Sequence, residues 1–362
     1  MDADVLVIGA GFSGLTFARA YAQAQPSKRV VVCERRDQLG GNCHDYETED
    51  GIIVQRYGPH IFHTDDKRAW DFMNSFTSFN GYEHRVIAKY RGVHYPVPIN
   101  LTTVNRFFGL ELSGEQELRE FLEGKRERVD AIKTSEDVIV SRFGRELYDA
   151  FFKEYTKKQW GVTPDMMPPF IFERLPLRYD DNDLYYNSRF QGMPEGGFTR
   201  AFERMVDLPD IEVMLGREPG KDEIERAPMV IHTGRIDEHF SYVHGRLPYR
   251  NSRFEFQTLE TCDYQPNSVV NHTEGSVECL RSTEYKKFYG TEADRTVICF
   301  EYMDDAGVNT YPVINEDSKE TLKKYEDMVP DNMRFLGRLG RHRYLDMDKA
   351  CIEALELAEE LG

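Results

Sequence analysis

Gly9-Ala10-Gly11-Phe12-Ser13-Gly14 sets three glycines at the spacing that brings a backbone against a pyrophosphate. Gly9 allows the tight turn, Gly11 the close approach, and Gly14 the contact of helix with strand. Phe12 and Ser13 then open a helix whose unpaired N–H groups face the anion. Glu34 lies 20 residues beyond Gly14 and offers a carboxylate to ribose hydroxyls. The motif alone is a weak signal, and its context gives it meaning. The apolar run Val5 to Ile8 precedes it, Leu15, Ala18 and Ala22 follow on one helical face, and Val30 to Cys33 is a second apolar run. Strand, turn, helix and strand of this kind form a dinucleotide-binding unit.

Other chemistries are poorly served. The six cysteines show no CxxC pair, which suits free thiols in a reducing cytosol, and the ten histidines do not fall beside them at zinc-like spacing. No metal is expected, and no Ser-His-Asp set is evident. Lysine and arginine number 46 against 63 acidic residues, a formal charge of −17 that repels nucleic acid and anionic membranes. A small anionic ligand held by a few arginines is still compatible with that field. The 23 Phe and 20 Tyr fit aromatic-rich cores, a ring-lined pocket, or both. Met1-Asp2-Ala3-Asp4 runs into a strand without a basic-then-apolar leader, and no stretch approaches 18 apolar residues; a cytoplasmic protein is the expectation.

The 362 residues predict two or three domains. Val86 to Tyr95 reads as a hairpin turning at Arg91-Gly92 and stopped by Pro96 and Pro98. From there to about residue 165 the pattern is helical, with Phe143, Leu147, Phe151 and Tyr155 at i+4 spacing and Trp160-Gly161 as its close. Residues 170 to 190 mix Arg, Tyr and Asp, a composition suited to a cleft. Thr199 is placed to cap the next helix. Ile211 to Leu215 and Met229 to Ile231 read as core strands, and Phe254 to Phe256 and Val297 to Tyr302 as antiparallel ones. Gly337-Arg338-Leu339-Gly340 precedes a helix with Met347, Cys351, Leu355 and Ala358 on one face, so the chain is expected to return to its first domain.

Glu34-Arg35-Arg36-Asp37-Gln38-Leu39-Gly40-Gly41-Asn42 resembles the FAD-binding pattern of amine-oxidase-like flavoproteins, and Gly337-Arg338 resembles their late FAD-contacting segment. The resemblance favours FAD over NAD. Three longer stretches narrow the family: Tyr57-Gly58-Pro59-His60-Ile61-Phe62-His63-Thr64, Tyr155-Thr156-Lys157-Lys158-Gln159-Trp160-Gly161 and Tyr344-Leu345-Asp346-Met347. Arg174-Leu175-Pro176-Leu177-Arg178 and Tyr311-Pro312-Val313 fit as well. In order and spacing they resemble the UDP-galactopyranose mutases over nearly the full chain.

That resemblance implies an α/β fold: a Rossmann-like FAD-binding domain with an inserted helical domain and an antiparallel β-sheet domain. Mapped here, the FAD domain takes 1–82, 195–235 and 321–362. The sheet domain takes a hairpin at 83–98, a cleft segment at 166–194 and residues 236–320, and the helical domain takes 99–165. It implies an isomerase interconverting UDP-galactopyranose and UDP-galactofuranose through a covalent adduct to N5 of reduced FAD, with no net redox change. The pathway implied is galactofuranose supply for cell-surface polysaccharide. Mutases of N-acetylated or 6-deoxy nucleotide sugars, and an amine-oxidase-like oxidoreductase, are the alternatives. Partners implied are a UDP-sugar and a small-molecule or nicotinamide reductant for the flavin; the resemblance also allows a homodimer.

Residue by residue, Arg174 and Arg281 match the diphosphate-binding arginines. Trp160 and Tyr155 match the nucleotide segment, with Phe151, Phe152 and Thr156 as further contacts. Tyr185, Tyr311 and Tyr344 match phosphate- and substrate-site tyrosines, and Asp346 an acidic neighbour whose alternative role is to cap the last helix. His63 and His60 match flavin-side histidines. His84 stands where some members carry asparagine near the substrate, which leaves that sugar contact open. Cofactor contacts implied are Gly9, Gly11, Phe12, Ser13, Gly14, Glu34, Arg35, Gly41, Asn42, His60, Ile61, Arg338 as a pyrophosphate partner, and Met347 through its backbone.

Overall fold

In the computed structural model, residues 3–173 and 176–362 are described. Short apolar runs form a parallel five-stranded sheet in the order Met333–Phe335, Met229–His232, Val5–Ile8, Val30–Cys33, Ile211–Met214. Such strands are apolar on both faces because both are covered. Val5, Val7, Val30 and Val32 pack under the helices Phe12–Ala24 and Met347–Leu361, while Leu6, Val31 and Cys33 face Ile224 and Ala227. The first and last helices of the chain therefore lie together on one side of this sheet. The helix Phe198–Val206 joins them, and Thr199 does not cap it. Asp45 does so from another strand, accepting from the Phe198 and Thr199 N–H groups at 2.6 and 2.8 Å. Thr199 lies two residues inside the cap position, which Gly197 takes, and its hydroxyl instead donates to the Asp45 carbonyl.

A second sheet runs Val308–Pro312, Tyr249–Leu259, Thr296–Met303, Arg281–Glu284, Val269–His272, Val86–Tyr90, Val93–Val97. It is antiparallel as expected except where Val269–His272 runs parallel to Val86–Tyr90. Those two strands are joined by long intervening chain, so no hairpin turn imposes an antiparallel pairing. The expected hairpin is present, with Tyr90 paired to Val93 across Arg91-Gly92. The two sheets share one core: Tyr285, Phe288, Val297 and Cys299 pack with residues of the parallel sheet, and the Tyr285 hydroxyl donates to the Gln55 carbonyl at 2.7 Å.

The helical insertion contains Leu101–Phe108, Glu115–Lys125, Ser135–Phe143 and Lys153–Trp160. Asn100 caps the first, and Thr134 with Asp137 forms a capping box on the third. The seam Phe143, Leu147, Phe151, Tyr155 is not one continuous α-helix. Every fourth residue of an α-helix drifts by about 40°, and the chain breaks at Gly144 and passes through a π turn at Tyr148–Phe152. The cleft segment ends in Phe190–Gly192, which pairs with Phe62–Thr64 and so draws it against His63. No helix among the described residues is long and apolar enough to cross a membrane.

Candidate active site

At the C-terminal edge of the parallel sheet the backbone itself makes a cradle. The helix Phe12–Ala24 begins at Gly11 with no side-chain cap and no acidic residue in its first turn. Four other helices are capped by Asp66, Asn100, Thr134 and Asn315. The uncapped first-turn N–H groups thus face the opening with their partial positive charge. A Cβ on Gly14 would stand 2.2 Å from the Gly9 carbonyl oxygen, and one on Gly41 would stand 2.9 Å from the Gly11 α-carbon. Backbone meets backbone here only because side chains are absent. Gly337 closes the same corner from the far end of the chain, where a Cβ would come 2.7 Å from the Ser13 hydroxyl. Glu34 is buried, accepting the Ala10 and Arg36 N–H groups at 2.8 and 2.9 Å. The cradle fits the diphosphate and ribose of a dinucleotide.

Around it, Asn42 accepts from Arg36 at 3.1 Å and donates to the Asn309 carbonyl at 3.2 Å, tying the double-glycine turn to the second sheet. Arg35 points away into ion pairs with Glu238 and Glu218 at 3.3 and 3.9 Å. Arg338 donates to the Leu345 and Thr310 carbonyls and lies 4.9 Å from the Tyr344 ring. Most of its donors are thus committed to backbone. His60 faces the Gly58 carbonyl through Nδ1 at 2.9 Å, so Nδ1 carries the proton. Burial, then the charge of Arg338, pushes its pKa down to about 4. Ile61 is buried beside it, and Met347 starts the last helix half-buried.

The second half of the site is made of side chains. Arg281 and Glu301 are opposite residues on neighbouring antiparallel strands. The Arg281 Nε and Nη2 donate to the Glu301 carboxylate, and Nη2 also donates to the Tyr311 hydroxyl at 2.7 Å. Burial opposes the arginine's charge, but Glu301, then Tyr311 and Tyr155, outweigh it and hold the guanidinium charged. Its Nη1 has no partner among the described residues. Tyr155 sits next to this group, its phenol pushed up by burial and partly offset by Arg281. Trp160 lies 6.1 Å from Tyr311, and Tyr311 stacks on Tyr344 at 6.2 Å. This row of rings spans the helical insertion, the second sheet and the returning segment.

Between the two halves, the His63 ring stacks on Tyr186 at 3.6 Å, and Tyr186 stacks on His84 at 5.4 Å. His63 Nδ1 bonds the Ser188 hydroxyl at 3.1 Å, and His84 Nδ1 bonds Tyr82 at 2.9 Å. Burial lowers both histidines, His84 to about 3, with Arg281 adding to the shift. Both rings are neutral near pH 7, which suits positioning rather than proton transfer. Asp346 occupies the N-cap position of the last helix, yet its side chain makes no cap hydrogen bond. Its charge instead is felt at His63, Tyr186 and Tyr344.

Most of the expected substrate residues meet here: Tyr155, Trp160, Tyr185, Arg281, Tyr311, Tyr344, Asp346 and His84. Arg174 lies outside the described residues, as does Leu175. Phe151 is in the helical core against Tyr95 and Phe107, and Phe152 packs on Phe143 and Phe172. Thr156 is buried. These three support the helix that carries Tyr155. Glu301 and Tyr186 were not expected. Glu301 had a signal, since it is a lone charge in the apolar run Val297 to Tyr302 and a buried charge needs a partner. Tyr186 had none beyond its place beside Tyr185.

Residues 150–344 match the family model described as UDP-galactopyranose mutase, and residues 7–76 one described as an NAD(P)-binding Rossmann-like domain. A probable UDP-galactopyranose mutase of Klebsiella pneumoniae is 38% identical, over 99% of this chain and 94% of that protein. A dTDP-fucopyranose mutase of Escherichia coli is 35% identical, over 98% of this chain and 97% of its own. A crystal structure of reduced UDP-galactopyranose mutase shares the fold, with a TM-score of 0.79 at 16% identity over 100% of this chain and 94% of that one.

Proposed function

This chain belongs to the UDP-galactopyranose mutase family, and on that premise we propose that it interconverts UDP-galactopyranose and UDP-galactofuranose with reduced FAD bound and no net redox change. Family membership makes the chain an isomerase of nucleotide sugars with a flavoprotein-type Rossmann fold. The observation that carries the proposed reaction is Arg281, held charged by Glu301 with Nη1 uncommitted, in an aromatic cleft beside a backbone cradle.

In this reading FAD is held by Gly9, Gly11, Phe12, Ser13, Gly14, Glu34, Gly41 and Asn42, with Arg338 toward its pyrophosphate and His60, Ile61 and Met347 along its flavin half. Bound and reduced, it supplies an electron-rich ring nitrogen as nucleophile toward the sugar's anomeric carbon. The chain's own work is electrostatic and positional. Arg281 meets the diphosphate as its charge grows on departure and retains it for return. Arg174 is assigned the second positive charge. Trp160 and Tyr155 wall in the uracil ring. Tyr185, Tyr311 and Tyr344 offer hydroxyls to phosphate oxygens. Asp346, free of cap duty, faces the sugar with Tyr186 and His84, and His63 holds Tyr186 in place by stacking.

A second reading, a 6-deoxy sugar on dTDP, is favoured by the 35% identity of the dTDP-fucopyranose mutase, close to the 38% of the galactose enzyme. One missing hydroxyl is a matter of a few side chains. The test is ring interconversion by dithionite-reduced holoprotein on UDP-galactofuranose and dTDP-fucofuranose. Faster conversion of the UDP-sugar supports the first reading, and the reverse order supports the second. Conversion with oxidised flavin would overturn the need for reduced FAD, and donor consumed in step with product would make the chain an oxidoreductase instead.

A further inference from the structure

The helix Lys153–Trp160 presents Tyr155 and Trp160 to the cleft, while Arg281 begins a strand of the second sheet. No backbone–backbone hydrogen bond among the described residues joins them, and Arg250, which donates to the Lys158 and Gln159 carbonyls, ties the helix to a different strand of that sheet. The join is made by Lys158. Its Nζ is enclosed by the carbonyls of His272, Glu274, Val277 and Cys279, at 2.5, 3.1, 2.9 and 3.1 Å. The first ends the strand Val269–His272 and the other three belong to the turn from it to Arg281–Glu284, which wraps around the ammonium; the last of them, Cys279, lies two residues before Arg281. Four carbonyls converging on three N–H donors leave the lysine no other partner and the turn little other shape.

We propose that Lys158 is a positioning residue of the nucleotide-sugar site: its ammonium fastens the turn that delivers Arg281 to the helix that delivers Tyr155 and Trp160, so arginine and rings move as one body. The inference rests on the reading of this cleft as a nucleotide-sugar site. Lys157, its neighbour in sequence, is exposed and makes no such join. Burial lowers the Lys158 pKa to about 8, with Cys279, Glu154 and Glu274 opposing. The four carbonyl dipoles act further in favour of the charged form. His272, whose carbonyl takes the shortest bond, is pushed down to about 4 by burial and then by the Lys158 charge, so it does not compete as a cation.

The chain has two tryptophans, and Trp160 is the one in the cleft; Trp70 is stacked between Phe79 and Phe190. UDP titration followed by tryptophan fluorescence therefore reads the site. In Lys158→Met holoprotein we expect UDP affinity to fall tenfold or more and KM to rise with it. Flavin content should stay unchanged, and kcat should fall by a smaller factor. Lys158→Arg, which keeps the charge, should recover most of the loss. Lys158→Met with normal UDP affinity and only a lowered melting temperature overturns the inference alone. A wild-type protein that responds to neither UDP nor dTDP overturns the nucleotide-sugar reading, and the inference with it. Should Lys158→Met not fold, hydrogen exchange on the wild-type holoprotein decides: UDP should slow amides of 272–281 together with those of 153–161. Protection of the helix without the turn overturns the join.

Discussion

The two halves of the cleft are built from different materials. The cradle around Gly9, Gly14 and Gly41 is main chain, and its specificity lies in where Cβ atoms are missing. The opposite wall is side chain, with Arg281, Glu301, Tyr155, Trp160, Tyr311 and Tyr344 gathered from five separated stretches and fixed by a buried ion pair. A main-chain site tolerates changes of charge nearby but no added carbon. A side-chain site tolerates changes of packing but not the loss of a charge whose partner stays behind. The same contrast tells which substitutions should abolish cofactor binding and which should leave a coloured, inactive protein.

The strongest break belongs to the cradle. Gly14→Val puts carbon on the Gly9 carbonyl, and purified protein should lose flavin absorbance altogether, with melting temperature lowered as for an overpacked core. Flavin at wild-type stoichiometry in that variant would erase the contrast. Next, Arg281→Ala should lower kcat/KM by about 100- to 1,000-fold while flavin content is retained. It should also destabilise the fold by about 3–5 kcal/mol, because Glu301 is left buried and unpaired. Replacing both Arg281 and Glu301 with leucine should restore much of that stability in a denaturant melt and none of the activity. If the double variant is no more stable than Arg281→Ala, the pair is not the fixing element.

Acid should weaken both halves through buried neutral histidines. Burial holds His84, in the side-chain wall, and His232, at the end of a cradle strand, at about 3. Below the ordinary histidine value of 6.5 the unfolded chain takes up protons that the folded chain refuses. Stability is therefore full above 6.5 and lost as pH falls toward 3, by roughly 1 kcal/mol per pH unit for each histidine. His84→Gln should flatten that slope by one histidine's share, and an unchanged slope would place the titration elsewhere. A smaller effect is expected of Tyr311→Phe, which loses one hydrogen bond to Arg281. KM should rise by about tenfold, the lower end of the scale for a hydrogen bond to a charged group. Least of all, Arg35→Ala removes only half-exposed ion pairs and should change stability by under about 1 kcal/mol with flavin retained.

The same division governs how legible the molecule is in its sequence. The cradle is contiguous: strand, glycines, helix and Glu34 fall within one short stretch, where periodicity and turn residues carry the fold directly. The strands of both sheets are equally local signals, and so is the hairpin at Arg91-Gly92. The wall is assembled by register. Arg281 opposite Glu301 is a fact of strand pairing that spacing along the chain does not encode, and the stacking of Tyr186 between His63 and His84 depends on where the cleft segment is drawn. Resemblance named the arginine and the rings but not the carboxylate, Glu301, or the fifth tyrosine, Tyr186, that steady them. Local reading also misplaced the helix cap. Asp45 reaches the Phe198 helix from 153 residues away, and the nearer Thr199 takes the inner place.

Residues 9–14 and the turn at Gly337 close one corner, and the helices Phe12–Ala24 and Met347–Leu361 pack together over the first sheet. Order of synthesis gives this a further meaning. The first glycines leave the ribosome long before their counterpart, and the other strands of that sheet emerge in the order Val30–Cys33, Ile211–Met214, Met229–His232, Met333–Phe335. Nearly the whole polypeptide must exist before the corner has four sides. Such non-local pairing is slow to form and exposes apolar edges while it waits. A dinucleotide taken up at this corner is thus expected to meet a finished chain rather than to serve as a template on which a nascent one folds.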